Sequence, residues 1–346
     1  ALNVTNKQYM KRVFVKNNIP TAKHTIMEEF DESKLRDFSY PMIVKPVDCN
    51  SSKGVIKVFD LEGLVRAFEL DVELSPTNTA IIEEFVEGIE LTVDVYVKDG
   101  DSHVLSVSIS DKINDKDKFV IYRTRWQALI TDILHEKISA MAQKIADSFD
   151  IKNAPMLIQL IAKGEDIFIL EFSARTGGGV KYSLIEKVSG FAVINAVIDL
   201  TTGNPVNLGQ CKPESNYLSN VFIYCRPGIF DRLYGFDKLK AQNIISDFYL
   251  FKGKGATFDS IASSGDRVAG FTVQGDSLEE ITAKYNFALN TIKVLDINGN
   301  DIMLEDDVTV GHNATLHACH IKRGALIGMG ATVLDKAVVG EGAVIA

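Results

Sequence analysis

Three stretches of this sequence set charged side chains among apolar ones. In 42–46, Met-Ile-Val-Lys-Pro, Lys45 interrupts a strand-like run and either snorkels at a strand end or is aimed at an anion. The loop after it, Asn50-Ser51-Ser52-Lys53-Gly54, can present backbone N–H groups to phosphate oxygens, although solvated loops share this composition. In 81–90, Ile-Ile-Glu-Glu-Phe-Val-Glu-Gly-Ile-Glu, Glu83 lies in a strand and Glu90 follows seven residues on past a glycine turn, so that one acid can accept from an adenine amino group and the other from ribose hydroxyls. The plainer alternative is a solvated acidic turn. In 166–179, Asp-Ile-Phe-Ile-Leu-Glu-Phe-Ser-Ala-Arg-Thr-Gly-Gly-Gly, Glu171 ends an apolar strand, with Ser173 and Arg175 alternating on its face. Burying such a pair is costly unless it meets ions or its own partner. Gln159, on the preceding strand, can face Glu171. Gln, Glu and Ser oxygens suit a hard cation such as Mg²⁺ or Mn²⁺, and Arg175 suits a terminal phosphate. A structural Glu–Arg pair is the alternative.

The elements that must hold these residues follow from periodicity. Thr5 and Gln8 predict a capping box opening a helix to about residue 18, closed by Asn17, Asn18 and Pro20. A short strand near Thr25 and a helix over 31–38 follow, then a hairpin of strands 42–47 and 55–58 with a long tip, and a helix over 61–70. Strands are predicted at 80–84, 90–97, 104–110, 156–163 and 166–172, and a long amphipathic helix at 131–149. Beyond Gly203-Asn204-Pro205 the pattern turns strand-rich at 221–225, 247–252 and 268–273, before a helix over 278–292. The result is an α+β arrangement of mostly antiparallel sheets.

The chain's end differs. From Ile321, branched residues return every six positions (Ile327, Val333, Val339, Ile345), with Ala325, Ala331, Ala337 and Ala343 in register. That period fits neither a helix nor a strand pair, and predicts a hexapeptide left-handed β-helix.

Composition narrows the partners. The 346 residues are 46% apolar and 24% charged, ordinary for a soluble globular protein. A net charge of −9 argues against a nucleic-acid grip, which needs a concentrated basic surface. The four cysteines (Cys49, Cys211, Cys225, Cys319) are far apart and form no CxxC pair, which suits free thiols in a reducing compartment. No apolar run has the length of a membrane span and the start lacks a signal-peptide core, so the cytoplasm and no membrane are expected.

Over residues 5–303 the order of these motifs resembles the ATP-grasp superfamily, closest to its carbamoyl-phosphate-synthetase-like, biotin-carboxylase-like and amino-acid-ligase-like members. The resemblance implies two α+β subdomains clasping ATP. Lys7, ahead of Asn18-Ile19-Pro20, resembles the family's opening basic residue, Lys45 its strand lysine, and 48–54 its mobile phosphate loop. Glu83 resembles the adenine-side acid, with the backbone of Glu84 and Val86 facing the ring, and Glu90 the ribose acid. Glu171-Phe172-Ser173-Ala174-Arg175 resembles the metal-bearing E-x-N-x-R, with serine in place of asparagine. In similar ligases, arginines such as Arg123 and Arg267 meet the substrate; surface residues are their alternative. Residues 304–346 resemble part of a hexapeptide-repeat protein of the γ-carbonic-anhydrase type, in which His312 and His317 match two zinc ligands, while no third histidine stands where that family has one.

These likenesses imply four regions: 1–75 and 76–203 as the two ATP-grasp subdomains, 204–303 as a substrate-side α+β extension, and 304–346 as the partial β-helix. They imply an ATP- and Mg²⁺-dependent carboxylate–amine ligase working through an acyl phosphate on small-molecule substrates. A homodimer, or a trimer through the tail, is the implied assembly. Family members carry a further α/β domain before the position of Lys7, and its absence leaves open a nucleotide-binding but catalytically incomplete module. A zinc protein or trimerisation scaffold driven by the tail is the other alternative.

Overall fold

The computed structural model describes residues 2–113, 119–127, 131–209, 215–259, 261, 263–302, 309–310, 314–316, 319–322, 324–328, 330–334 and 336–345. They fall into two compact units, one of residues 1–110 and 124–218, the other of 111–123 and 219–346.

The first unit opens with a helical turn, α1 (Leu2–Thr5), and helix α2 (Lys7–Lys16). The expected capping box is corrected. Thr5 belongs to α1, and the Asn6 side chain caps α2 by accepting from the Gln8 N–H at 2.8 Å. Strands β1 (His24–Met27), β2 (Met42–Pro46), β3 (Ile56–Val58) and β4 (Ala80–Glu84) form an antiparallel sheet in the order β1-β4-β2-β3. Between β1 and β2 the expected helix is only a 3₁₀ turn, Glu32–Leu35. Helix α3 (Leu61–Leu74) covers one sheet face, where Val44 and Ile82 pack with Leu64, Ala67 and Phe68. Because strand side chains alternate, Lys45, Ile81 and Glu83 fall on the opposite face.

A second antiparallel arrangement runs β6-β5-β8-β9, built from β5 (Ile89–Lys98), β6 (Asp101–Lys112), β8 (Ala154–Lys163) and β9 (Asp166–Ser173). Strand β7 (Ile121–Gln127) is not legible in the sequence, because Ile-Tyr-Arg-Thr-Arg-Trp-Gln alternates charge with bulk. Helix α4 (Asp132–Ser148) lays Ile138, Ala142 and Ile145 on the core of this sheet, joined by Met10 and Phe14 of α2. At roughly 1.5–3 kcal/mol for each large apolar side chain buried, this core is what fixes α2 against the sheet. Helices α5 (Lys181–Ser189) and α6 (Val193–Thr202) complete the unit.

The register of β8 and β9 slips between Gln159 and Leu160, so Gln159 faces Glu171 while Leu160 faces Ile169. The bulge lets Ile169 and Phe172, three residues apart, share one core, and turns Glu171 away from it.

In the second unit, β12 (Asp247–Leu250) pairs with β14 (Ala269–Gly275), and β11 (Gly228–Tyr234) lies between β13 (Thr257–Phe258) and β15 (Lys293–Asp296). Strand β10 (Tyr217–Ile223) and helices α7 (Phe236–Ala241) and α8 (Leu278–Thr291) accompany them. Both units are α+β, and their strand pairs named so far are antiparallel, as the periodicity predicts. From Thr309 onward, two-residue strands pair in parallel. Thr309 lies beside Leu326 and Thr315 beside Thr332, 17 residues apart, then His320 beside Val338 and Leu326 beside Val344, 18 apart. Ala325, Ile327, Ala331, Val333 and Val339 are buried between these strands.

Candidate functional site

All the residues singled out for phosphates, nucleotide and Mg²⁺ lie in the first unit. The charged face of the four-stranded sheet gathers two of them, Lys45 and Glu83, into a cluster that also takes in a residue the sequence does not single out. Glu83 on β4 is buried, at 2% exposure, with Lys45 Nζ of β2 at 2.5 Å from one carboxylate oxygen. Lys11 Nζ of α2 stands 2.7 Å from the other. Lys11 is fully buried and also donates to Thr21 Oγ1, whose hydroxyl donates to the Ile169 carbonyl at 2.7 Å. Lys11 reads in the sequence as one more polar residue of an amphipathic helix. Its signal is its spacing: it follows Lys7 by four residues, one turn along the same helix face.

Burial raises the Glu83 carboxyl, but the charges of Lys11 and Lys45 outweigh it and bring it down to about 2. Burial likewise pulls Lys45 down, and Glu83 more than offsets it, so Lys45 ends above the ordinary lysine value. Glu83 is therefore depressed in the folded state. Its contribution to stability is complete above about pH 4.5 and fades as the pH falls towards 2.

Lys7 begins α2, donates to the Cys49 carbonyl at 2.6 Å and lies 3.7 Å from Glu171. Burial, only partly countered by Glu171, draws its pKa down. The Glu171 side chain keeps 33% of its surface exposed, directly across the strand pair from Gln159. Gln159 in turn faces Thr92 of β5. Ser173 is the last residue of β9 and half-buried. Arg175 lies past the strand, exposed, with its guanidinium on the Thr176 carbonyl at 2.8 Å, so the expected burial on the face of Glu171 is corrected. Among the described residues no three His, Cys, Asp or Glu side chains gather into a metal cage. The donor set of one carboxylate, one amide and one hydroxyl fits Mg²⁺, which keeps its waters and is held by one or two carboxylates together with substrate phosphates.

On the nucleotide side, Glu90, the second residue of β5, is half-buried and adds to the field that raises Lys45. Glu84 and Val86 are half-buried at the end of β4 and just beyond it. The Glu84 N–H donates to the Lys23 carbonyl at 2.9 Å, so that donor is already engaged.

The tip between β2 and β3 is a run of turns in which Ser51, Ser52 and Gly54 all have positive φ, at 61°, 60° and 75°. Gly54 also packs tightly: a Cβ there would come within 2.6 Å of Asp71 Oδ1 and 2.8 Å of Pro46. Asp71, on α3, has no signal in the sequence. It is fully buried, neither carboxylate oxygen has a hydrogen-bond partner among the described residues, and burial pushes its pKa to about 7. A carboxyl raised on folding is no burden below about pH 4, costs progressively more up to about pH 7, and costs its full amount above that. Asp71→Asn is accordingly expected to raise stability by about 1–2 kcal/mol at pH 8, with the gain vanishing by pH 4. Thermal unfolding of the two proteins at both pH values reads this directly, and an unchanged or lowered midpoint at pH 8 would contradict it.

The two arginines expected to meet substrate are engaged inside the second unit. Arg123 pairs with Asp111 at 2.7 Å and lies over the Tyr285 ring. Arg267 donates to Tyr224 Oη at 3.0 Å and to the Ile121 carbonyl, and stacks on Phe222. His312 and His317 lie outside the described residues.

Residues 38–183 match the ATP-grasp domain family. The chain is 26% identical over 194 residues to the carbamoyl phosphate synthase large chain of Clostridium acetobutylicum, a match covering 54% of this chain and 17% of that protein. It is 34% identical over 112 residues to a carbonic anhydrase of Geobacillus kaustophilus, covering 27% of this chain and 60% of the relative. The chain thus spans less than two thirds of either relative. Among solved structures, the L-amino acid ligase of Bacillus licheniformis superposes with a TM-score of 0.71 at 18% identity, over 85% of this chain and 72% of that one. Lys45, Glu83 and Glu171 fall within the matched domain; Lys7 and Lys11 precede it.

Proposed function

We propose that this chain, which carries an ATP-grasp domain, is an ATP-dependent carboxylate–amine ligase that works through an acyl phosphate and releases ADP and phosphate. The observation that carries the reading is the pairing of two buried lysines, Lys11 and Lys45, on one buried carboxylate, Glu83, which suits an anion beside it. The names of the relatives, a carbamoyl phosphate synthase and an L-amino acid ligase, agree with such chemistry.

In this reading Lys7 and Lys45 neutralise the phosphates, and Arg175 swings from the Thr176 carbonyl onto the terminal one. The backbone of 51–54 closes over the phosphates and keeps water out. Glu90 takes the ribose hydroxyls, and the backbone around Glu84 and Val86 lines the adenine slot. Glu171, Gln159 and Ser173 would hold Mg²⁺, which supplies charge neutralisation on the phosphate oxygens. A carboxylate oxygen of the substrate attacks the terminal phosphorus in line, and the bond to the bridging oxygen of ADP breaks. The amine nitrogen then attacks the acyl carbon, phosphate departs, and the nitrogen loses a proton. No side chain acts as nucleophile, so catalysis is positioning and charge stabilisation.

We read the paired strands from Thr309 to Ile345 as a left-handed β-helix, in which the 18-residue spacing is three hexapeptides and the 17-residue spacing falls one residue short of that.

Phosphate release from ATP and Mg²⁺, measured against a panel of carboxylates and amines, tests the ligase. Release that needs both a carboxylate and an amine is expected. ATP binding without release under any pairing would leave only the catalytically incomplete module.

A further inference from the structure

We propose that Lys11 is the standing counter-ion of Glu83, and that its presence frees Lys45 to leave Glu83 and carry its charge to the nucleotide phosphates. The inference rests on the nucleotide reading above and names a positioning residue for that site. Glu83 divides its two oxygens between two lysines, Lys11 at 2.7 Å and Lys45 at 2.5 Å. With one lysine alone, any movement of that lysine towards a phosphate would strand an ionised carboxylate in the interior, and an unpaired buried charge is strongly unfavourable. With two, one can move.

The structure assigns which one stays. Lys11 has a side-chain exposure of 0%, its amine is tied to Thr21, and Thr21 is tied in turn to the backbone of Ile169. Its stem lies on the same helix as Met10 and Phe14, both in the core. Lys45 is held by Glu83 alone among the described contacts of its amine, and its side chain keeps 9% of its surface exposed where Lys11 keeps none. Lys11 is therefore fixed and Lys45 is exchangeable. The division of labour also explains why a lysine is buried so deeply one turn behind Lys7: it acts on the phosphates only through Glu83.

The test is calorimetric binding of ATP and of adenosine, which lacks phosphates, to the wild-type chain and to Lys11→Met, Lys45→Met, Glu83→Gln and the double variants. Lys11→Met traps Lys45 on Glu83, so ATP affinity is expected to fall by about tenfold or more while adenosine affinity stays within about twofold, as suits the loss of one charge-assisted phosphate contact. In the Lys45→Met background, Lys11→Met should leave the ratio of ATP to adenosine affinity unchanged. Adding Glu83→Gln to Lys11→Met removes the trap and should restore ATP binding. An equal loss of ATP and adenosine affinity in Lys11→Met would mark Lys11 as structural only and overturn the proposal. If Lys11→Met does not fold, Glu83→Gln with and without it decides: equal ATP affinity supports the proposal. A tenfold fall on adding Lys11→Met would mean that Lys11 touches phosphate itself, and would overturn it. Absence of ATP binding by the wild-type chain would overturn the nucleotide reading, and this inference with it.

Discussion

Glu171→Ala is expected to lower the rate of phosphate release by about 10²–10³-fold, the loss that follows removal of one group stabilising transition-state charge. The fold should tolerate the change. Glu171 lies near the end of β9 with a third of its side chain exposed, and its nearest cation, Lys7, is 3.7 Å away, so the pair contributes no more than about 1 kcal/mol to stability. ATP should still bind, because Lys45 and the loop 51–54 are untouched. A rate within tenfold of wild type would mean that Glu171 and Gln159 do not hold the metal, and that their cross-strand pairing is only structural.

Lys45→Met is expected to weaken ATP binding by about 10–100-fold, the equivalent of one hydrogen-bonded charge contact at roughly 1.5–3 kcal/mol. A buried ion pair that loses one partner ordinarily destabilises the protein by about 3–5 kcal/mol. Here the loss should be smaller, because Glu83 keeps Lys11 at 2.7 Å and the introduced methionine is an apolar side chain of similar length. ATP affinity and the thermal midpoint, measured together, separate the two effects. Unchanged ATP affinity in a folded Lys45→Met protein would remove Lys45 from the phosphate site.

Much of this site can be read from the residues because strands make alternation visible. The run Ile-Ile-Glu-Glu announces β4, and the apolar strand leading to Glu171 announces β9. The Gln159–Glu171 pairing follows from two adjacent strands, but the bulge that makes it register is invisible, since Leu160 and Leu170 look like any other strand residues. Lys11 and Asp71 escape for a different reason. On an amphipathic helix a charged residue is taken as solvated, and only the packing of α2 and α3 against their neighbours shows that both are buried. Arg175 fails in the opposite direction, because β9 ends two residues before it and its side chain stays in solvent. Strands β7 and β11 escape as well, because Arg123 and Arg125 in the one and the adjacent Asp231 and Arg232 in the other mimic polar loops. The six-residue period of the tail is legible because the same inward position recurs as Ile327, Val333 and Val339, all buried.

The acyl phosphate itself is open to direct measurement. A carboxylate that supports phosphate release, labelled with heavy oxygen in its carboxyl group, is turned over with ATP and an amine, and the released phosphate is analysed by mass. Transfer of one labelled oxygen into phosphate is the predicted result, because the carboxylate oxygen that attacks phosphorus leaves with it. Phosphate free of label, with product formed, would mean that the carboxylate is never phosphorylated, and would contradict the account.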